Sequence, residues 1–291
     1  MAARSDLPYF APSEVLPAPL PTVAEILAST TRLSAPYENP VFRVGDHFAV
    51  KYGVRVNLQE GENQLFVQQS TNIPVPKVYA LFHDEATKTD FIVQEYIPGR
   101  SLERVWGKLG VPDKQAIATQ LRQNLDELRS IPAPGHFGGI WRQPTQEYHF
   151  EDGTRIGYPH SDPAISGPQE TEEQWVEAMW RCLDSRLEME EVRLQLPLIR
   201  RHYHAVFRGH SPVFTHANFF PGNLILREDG TVVIIDWENA GWYPSFWEYC
   251  SAMLILKYYD DWGEWLPKMM DEYHSELGWM ICHKQMLMFN T

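Results

Sequence analysis

The stretch THANFFPGNLILREDGTVVIIDWENAG, residues 215–241, restricts this chain more than any other part of it. His216 opens a loop that contains Asn218, and a second asparagine, Asn223, follows five positions later. Two apolar runs, NLIL and TVVII, flank Asp229-Gly230, and the second run leads directly into Asp236. Asp-Gly between apolar runs is a hairpin signal, because such turns need positive φ, which glycine adopts without steric cost. The spacing therefore predicts a polar loop, a short hairpin, and a carboxylate delivered at the hairpin's end. Mg²⁺ takes hard oxygen ligands and keeps several waters, so one Asn and one Asp can suffice to hold it. The plainer alternative is that Asp236 caps a turn and Asn223 merely sits in one.

Upstream, VFRV and HFAVK flank Gly45-Asp46 and read as two strands, the second ending at Lys51. Residues 57–69 have Leu58, Leu65 and Phe66 at helical spacing, and this predicted helix contains Glu60. Pro74 and Pro76 end it; VYALF and FIVQEYI follow as strands around a charged turn. Ile97-Pro98-Gly99 then breaks the pattern, which marks 94–97 as a hinge. Ser101 can cap a short helix, and Ile117, Leu121, Leu125 and Leu128 predict a longer one over 113–130. Residues 135–168 are irregular, either an insertion on the substrate side or a surface loop. Helices resume over 171–208, interrupted at Pro197, and again from Ser245 onward. The Pro-rich start, 8–21, is expected to run extended, with a short helix beginning near Pro21. The expected organisation is an N-terminal extension (1–40), a small β-rich lobe (41–96) and a helical lobe (97–291) carrying the 215–241 segment.

The formal net charge is −13, and no Lys/Arg run is longer than Arg200-Arg201, so nucleic acid is not an expected partner. An acidic shell serves solubility, or favours a cationic substrate. Cys182, Cys250 and Cys282 are too few and too scattered for a disulfide framework or a zinc site. The N-terminus has no basic-then-apolar leader, and no run approaches the roughly 20 apolar residues of a membrane span. A cytoplasmic protein with no membrane attachment and no evident protein partner is the expectation.

Residues 216–236 have the layout of the kinase catalytic loop, H-R-D-x-x-x-x-N followed by a metal-binding Asp. They resemble still more the H-G-D-x-x-x-x-N and I-D-W-E signatures of the aminoglycoside phosphotransferase family. Ile235-Asp236-Trp237-Glu238 with Ala240-Gly241 matches that family better than the D-F-G of protein kinases, and A-P-E and G-x-G-x-x-G elements are missing. IPVPKVY, residues 73–79, is similar to the fungal branch of the family. The resemblance extends over roughly residues 40–260 and implies an α+β, protein-kinase-like bilobal fold. It implies ATP or another NTP with Mg²⁺ as cofactors, and a small-molecule hydroxyl as phosphate acceptor. Lys51 would hold phosphates and Glu60 would orient it. The hinge backbone at Glu95 and Ile97 would meet the adenine edge, and Asn223 and Asp236 would bind the metal. His216 would brace the catalytic loop rather than act as acid or base.

One position departs from the pattern. Asn218 stands where the family has its catalytic Asp, and an amide cannot take a proton, which forfeits a contribution of about 10²–10⁴-fold. It can still orient a hydroxyl, and a loose transition state needs limited base assistance. An engineered substitution, a weak or dead kinase that still binds nucleotide, and a fold turned to other chemistry all fit. Ala217, Phe219 and Phe220 depart from the commonest family residues too. Lys51 as a plain surface lysine is disfavoured by its pairing with Glu60 and the downstream loop. Glu238 is either a partner of the metal site or a solvated side chain. The aromatics Trp237, Trp242, Tyr243, Trp247, Tyr249, Tyr258, Tyr259, Trp262 and Trp265 suggest a substrate cage or, more commonly at such spacing, core packing. His202-Tyr203-His204 lacks a further ligand at zinc spacing, and there is no G-x-S-x-G elbow.

Overall fold

A computed structural model describes residues 6–35, 39–53, 56–145, 162–186, 193–257 and 259–288. The chain divides into two compact units, Met1–Arg104 with Gly222–Glu238, and Val105–Pro221 with Asn239–Thr291. The first unit contributes β1 (Tyr9–Phe10), α1 (Val23–Ala28), β2 (Val41–Val44), β3 (Phe48–Gly53), α2 (Leu58–Ser70), β4 (Val78–Asp84), β5 (Thr89–Glu95) and β6 (Arg100–Ser101). After α3 (Leu102–Val105), the second contributes α4 (Val111–Arg129), α5 (Pro163–Ser166), α6 (Glu172–Arg186), α7 (Leu196–Val206) and β7 (Pro212–Thr215). The chain returns to the first unit for β8 (Leu224–Leu226) and β9 (Val232–Ile234). It finishes in the second with β10 (Gly241–Pro244), α8 (Trp247–Leu254), α9 (Trp262–Met269) and α10 (His274–Met288).

In the first unit five antiparallel strands run in the order β1-β4-β5-β3-β2. Alternation along the strands separates two faces. One face buries Phe48, Val50, Phe91 and Val93 beneath the N-terminal segment, whose Leu16, Ala18, Leu20, Val23 and Ile26 pack onto it. Apart from a 3-10 turn at Ser13–Val15, the Pro-rich start is extended, as its composition predicts, but it also covers the sheet and adds β1 to the edge of β4. A capping box between Thr22 and Glu25 starts α1. Each strand places one aromatic ring in a continuous stack, Phe10-Phe82-Phe91-Tyr52-Phe42, with centroids 5.1–5.8 Å apart. Such cross-strand pairs help fix the register. The opposite face carries Leu81 and Ile92 and packs against α2. The predicted hairpin forms as β8 and β9, closed at Gly230 (φ 86°), with β6 added to its outer edge.

The second unit is mainly helical. Ile117, Leu121, Leu125 and Leu128 are all buried along α4, as their spacing predicts, and α4 packs against α9. Ser101 accepts a hydrogen bond from the Glu103 N–H at 3.2 Å, the expected cap of α3. The aromatic residues form core rather than a cage. Trp175 meets Tyr243 and Trp247 edge-on at 5.3 and 5.4 Å, and Trp242, Tyr243 and Trp247 are all buried. Trp106 meets Trp262 edge-on at 4.7 Å, while Tyr259 is exposed. Tyr258 and residues 146–161 of the irregular segment lie outside the described residues. The described part of that segment is tied down by paired bridges, Phe137 to Gln169 and Gly138 to Trp242. No helix among the described residues is long and apolar enough to cross a membrane.

Candidate active site

Lys51 lies opposite Ile92 in the β3–β5 register, so alternation turns its side chain to the α2 face. The helix reaches that face closely because residue 61 is glycine. A Cβ there would stand 2.1 Å from Leu81 Cδ2, so a residue that weakens a helix by about 1 kcal/mol is required for this approach. The result brings Glu60 Oε2 to 2.6 Å from Lys51 Nζ, with both side chains 6% exposed. Asp236 Oδ1 lies 2.9 Å from the same nitrogen and Glu238 Oε2 3.4 Å from it. Asp236 adopts φ 66°, the left-handed region, at the point where the chain leaves β9 and turns.

One ammonium therefore faces three carboxylates, whose oxygens lie within 4.8 Å of one another. Burial alone would push the lysine pKa down, but Asp236, Glu238 and Glu60 together outweigh it and hold it well above the usual value. Glu60 is pushed up to about 8, first by burial and then by the negative charge of Asp236 and Glu238, against the opposing pull of Lys51. When all are ionised, three negative charges meet one positive, which leaves the cluster short of cationic charge. Hard carboxylate oxygens with excess negative charge suit a divalent ion such as Mg²⁺. Asn223 stands at the foot of the same hairpin, its C=O accepting from the Ile235 N–H at 3.0 Å.

The polar residues of α2 are buried with their own partners. Asn63 Nδ2 donates to the Trp237 carbonyl at 2.9 Å, which ties α2 to the segment carrying Asp236 and Glu238. Gln64 Nε2 donates to Pro76 O and to Gln94 Oε1, each at 2.7 Å. At the end of β5, Glu95 Oε1 accepts from Arg227 Nη2 at 3.0 Å, so the Glu95 side chain is engaged in an ion pair. Ile97 follows two residues beyond the strand.

His216 and Asn218 belong to the second unit. His216 is fully buried and its Nδ1 accepts from the Asn218 N–H at 3.3 Å. Ala217 occupies φ 62°, costly for a residue with a Cβ. Glu248, at the start of α8, holds this bend: its two carboxylate oxygens accept from the N–H groups of His216 at 2.7 Å and Ala217 at 3.0 Å. Burial pushes the Glu248 pKa up to about 7, against the backbone hydrogen bonds and the Arg129 charge that pull it down. No motif spacing singles out Glu248. The available signal was a lone carboxylate inside the apolar run FWEYCSAML, since charges are rarely buried without a partner. Asn63 and Gln64 give no motif signal, because polar side chains in an amphipathic helix pattern read as its solvent face, and Gln94 is marked in the sequence only as the first residue of the hinge.

The sequence profile of the phosphotransferase enzyme family, abbreviated APH, matches residues 29–280. No curated protein sequence matches the chain significantly. Among solved structures, the GDP complex of aminoglycoside 2'-phosphotransferase-IIIa is similar with a TM-score of 0.56 at 14% identity, over 88% of this chain and 83% of that one. Aminoglycoside phosphotransferase APH(4)-Ia gives 0.57 at 12% identity, over 88% and 83%. The gentamicin complex of APH(2")-IIa gives 0.55 at 18% identity, over 89% and 80%. The fold is α+β and protein-kinase-like, as the resemblance implies.

Proposed function

The chain belongs to the phosphotransferase enzyme family, and on that premise we propose that it binds a nucleoside triphosphate with Mg²⁺ and transfers phosphate to a hydroxyl of a small molecule. The observation that supports this most is Lys51, buried and held between Glu60 on one side and Asp236 and Glu238 on the other. A charge-deficient carboxylate cluster beside a fixed ammonium suits metal-bound phosphates: the lysine meets phosphate oxygens and the carboxylates meet the ion. In this reading Asp236 and Asn223 ligate Mg²⁺, with Glu238 as a further carboxylate on the ion. Glu60 keeps Lys51 extended, and the backbone at Glu95 and Ile97 meets the base. Mg²⁺ supplies neutralisation of the charge that develops on the transferred phosphoryl group. Asn218 orients the acceptor hydroxyl by hydrogen bonding without accepting its proton.

Titration of ATP with Mg²⁺ while following the thermal midpoint tests the nucleotide site. Ligand binding only to the folded state adds about 2.7 kcal/mol at a hundredfold excess over Kd. A magnesium-dependent rise that disappears in Asp236→Ala is expected; no rise with either ATP or GTP at millimolar concentration would remove the proposal. Asn218 also motivates a second reading, a nucleotide-binding member of the family that transfers no phosphate. Asn218→Asp separates the two. Turnover of Mg-ATP above background with a panel of hydroxyl acceptors supports the kinase, and persistent background with intact nucleotide binding supports the second reading.

A further inference from the structure

Resting on the nucleotide-site reading above, we infer that Gln94 selects the base, and that this chain prefers 6-oxopurine nucleotides, guanine or hypoxanthine, over adenine. Ala49 lies opposite Gln94 in the register, and Lys51 lies opposite Ile92. Side chains alternate between faces, so Ala49, Lys51, Ile92 and Gln94 share one face of the sheet, while Val50, Phe91 and Val93 lie on the other. Two residues along a strand span about 6.8 Å. A nucleotide with its phosphates at Lys51 and its base at the backbone of Glu95 and Ile97 must therefore pass the Ala49 methyl and the Gln94 amide.

The polarity of that amide is fixed by its neighbours. The carbonyl of Pro76 can only accept, so the group of Gln64 that faces it is the Nε2 amide nitrogen. The other hydrogen of the same nitrogen goes to Gln94 Oε1. Gln94 consequently spends its oxygen on Gln64 and turns its own N–H₂ away. Gln94 is 9% exposed, and its Nε2 makes no hydrogen bond among the described residues. This leaves an unpaired donor at the tip of a side chain that is otherwise almost fully buried, on the Lys51 face, at the next-to-last residue of the strand before the hinge. A 6-oxo group accepts from such a donor. The 6-amino group of adenine presents N–H to N–H and leaves both donors unpaired. N7 accepts in both kinds of purine and does not discriminate. An unmade hydrogen bond at a buried donor corresponds to about tenfold or more in affinity.

The test is a thermal-midpoint titration, with Mg²⁺, of ATP, GTP and inosine triphosphate against the full chain. Inosine triphosphate has the 6-oxo group without the 2-amino group, so it isolates the contact proposed. GTP and inosine triphosphate are expected to bind at least about tenfold tighter than ATP. Gln94→Leu removes the donor and is expected to bring the three affinities together. Gln64→Leu frees the Gln94 amide to turn over, so it is expected to narrow the ratio, and it serves as a second variant if the first does not fold. ATP binding as tightly as inosine triphosphate in the unaltered chain would overturn the inference and leave the nucleotide site standing. An unchanged ratio in a folded Gln94→Leu variant would also overturn it. Failure of all three nucleotides to stabilise the protein would instead remove the nucleotide-site reading itself.

Discussion

Lys51 and the His216–Asn218 bend are held in opposite ways. Around Lys51 the contacts join charged side chains, and the carboxylates outnumber the ammonium. At the bend, two neutral backbone N–H groups meet the two oxygens of one carboxylate, and the count closes. The first arrangement is complete only with added cationic charge, whereas the second is satisfied by the protein alone. The difference separates a part that should respond to ligand from a part that should set geometry in its absence.

The sharpest way to break this contrast is at Lys51. Lys51→Met leaves three clustered carboxylates without their ammonium and should cost about 3–5 kcal/mol in urea unfolding. Adding Glu60→Leu to that variant should recover much of the loss, because a buried carboxyl group left without its partner is replaced by an apolar side chain. If the single variant is as stable as the parent, the cluster does not hold its lysine as a buried ion pair.

The pH dependence of Glu248 comes next. Its pKa rises from 4.5 in the unfolded chain to about 7 in the folded one because of burial. With a folded value above the unfolded one, its contribution is full below pH 4.5 and is lost as pH rises through 7. That rise corresponds to about 3 kcal/mol. Unfolding free energies of the parent and Glu248→Gln, compared from pH 4.5 to 7.5, should therefore diverge in slope; parallel profiles would show that Glu248 ionises as freely as in the unfolded chain.

Glu248→Ala strands two buried N–H groups and should cost about 2 kcal/mol. Faster amide exchange confined to His216, Ala217 and their neighbours is the expected signature, with Mg-dependent nucleotide binding at Lys51 retained. Exchange unchanged at those two amides would mean the clamp is not what holds the bend. The smallest effect is at Ala217, whose φ of 62° suits glycine. Ala217→Gly should stabilise the protein by about 0.5–1 kcal/mol, strain relief outweighing the extra backbone entropy of glycine. A loss of stability there would show that the methyl packs better than the strain costs.

Much of the first unit was legible because its signals are local. Gly45-Asp46 and Asp229-Gly230 mark turns that form where expected, and alternating apolar residues fix which strand face is buried. Lys51, Glu60 and Asp236 were singled out from motif spacing, and the structure brings the three together. Helix α2 was legible in extent but not in environment. Leu65 and Phe66 are buried as expected, yet Gln59, Glu60, Glu62, Asn63 and Gln64 are buried as well. Amphipathic patterning assumes that polar side chains face water, and it fails wherever a polar side chain finds its partner elsewhere in the chain.

The sequence by itself determined most strands of the first unit, the helices α2 and α4, the hairpin that leads into Asp236, and the family. Each depends on residue type at short separation, where turn geometry and periodicity act directly. Tertiary structure alone decided that Glu238 joins the Lys51 cluster, that Glu248 holds the His216–Ala217 backbone, and that Gln64 orients the Gln94 amide. Those contacts span 187, 32, 31 and 30 residues respectively. At such separations only the folded chain determines which donor meets which acceptor.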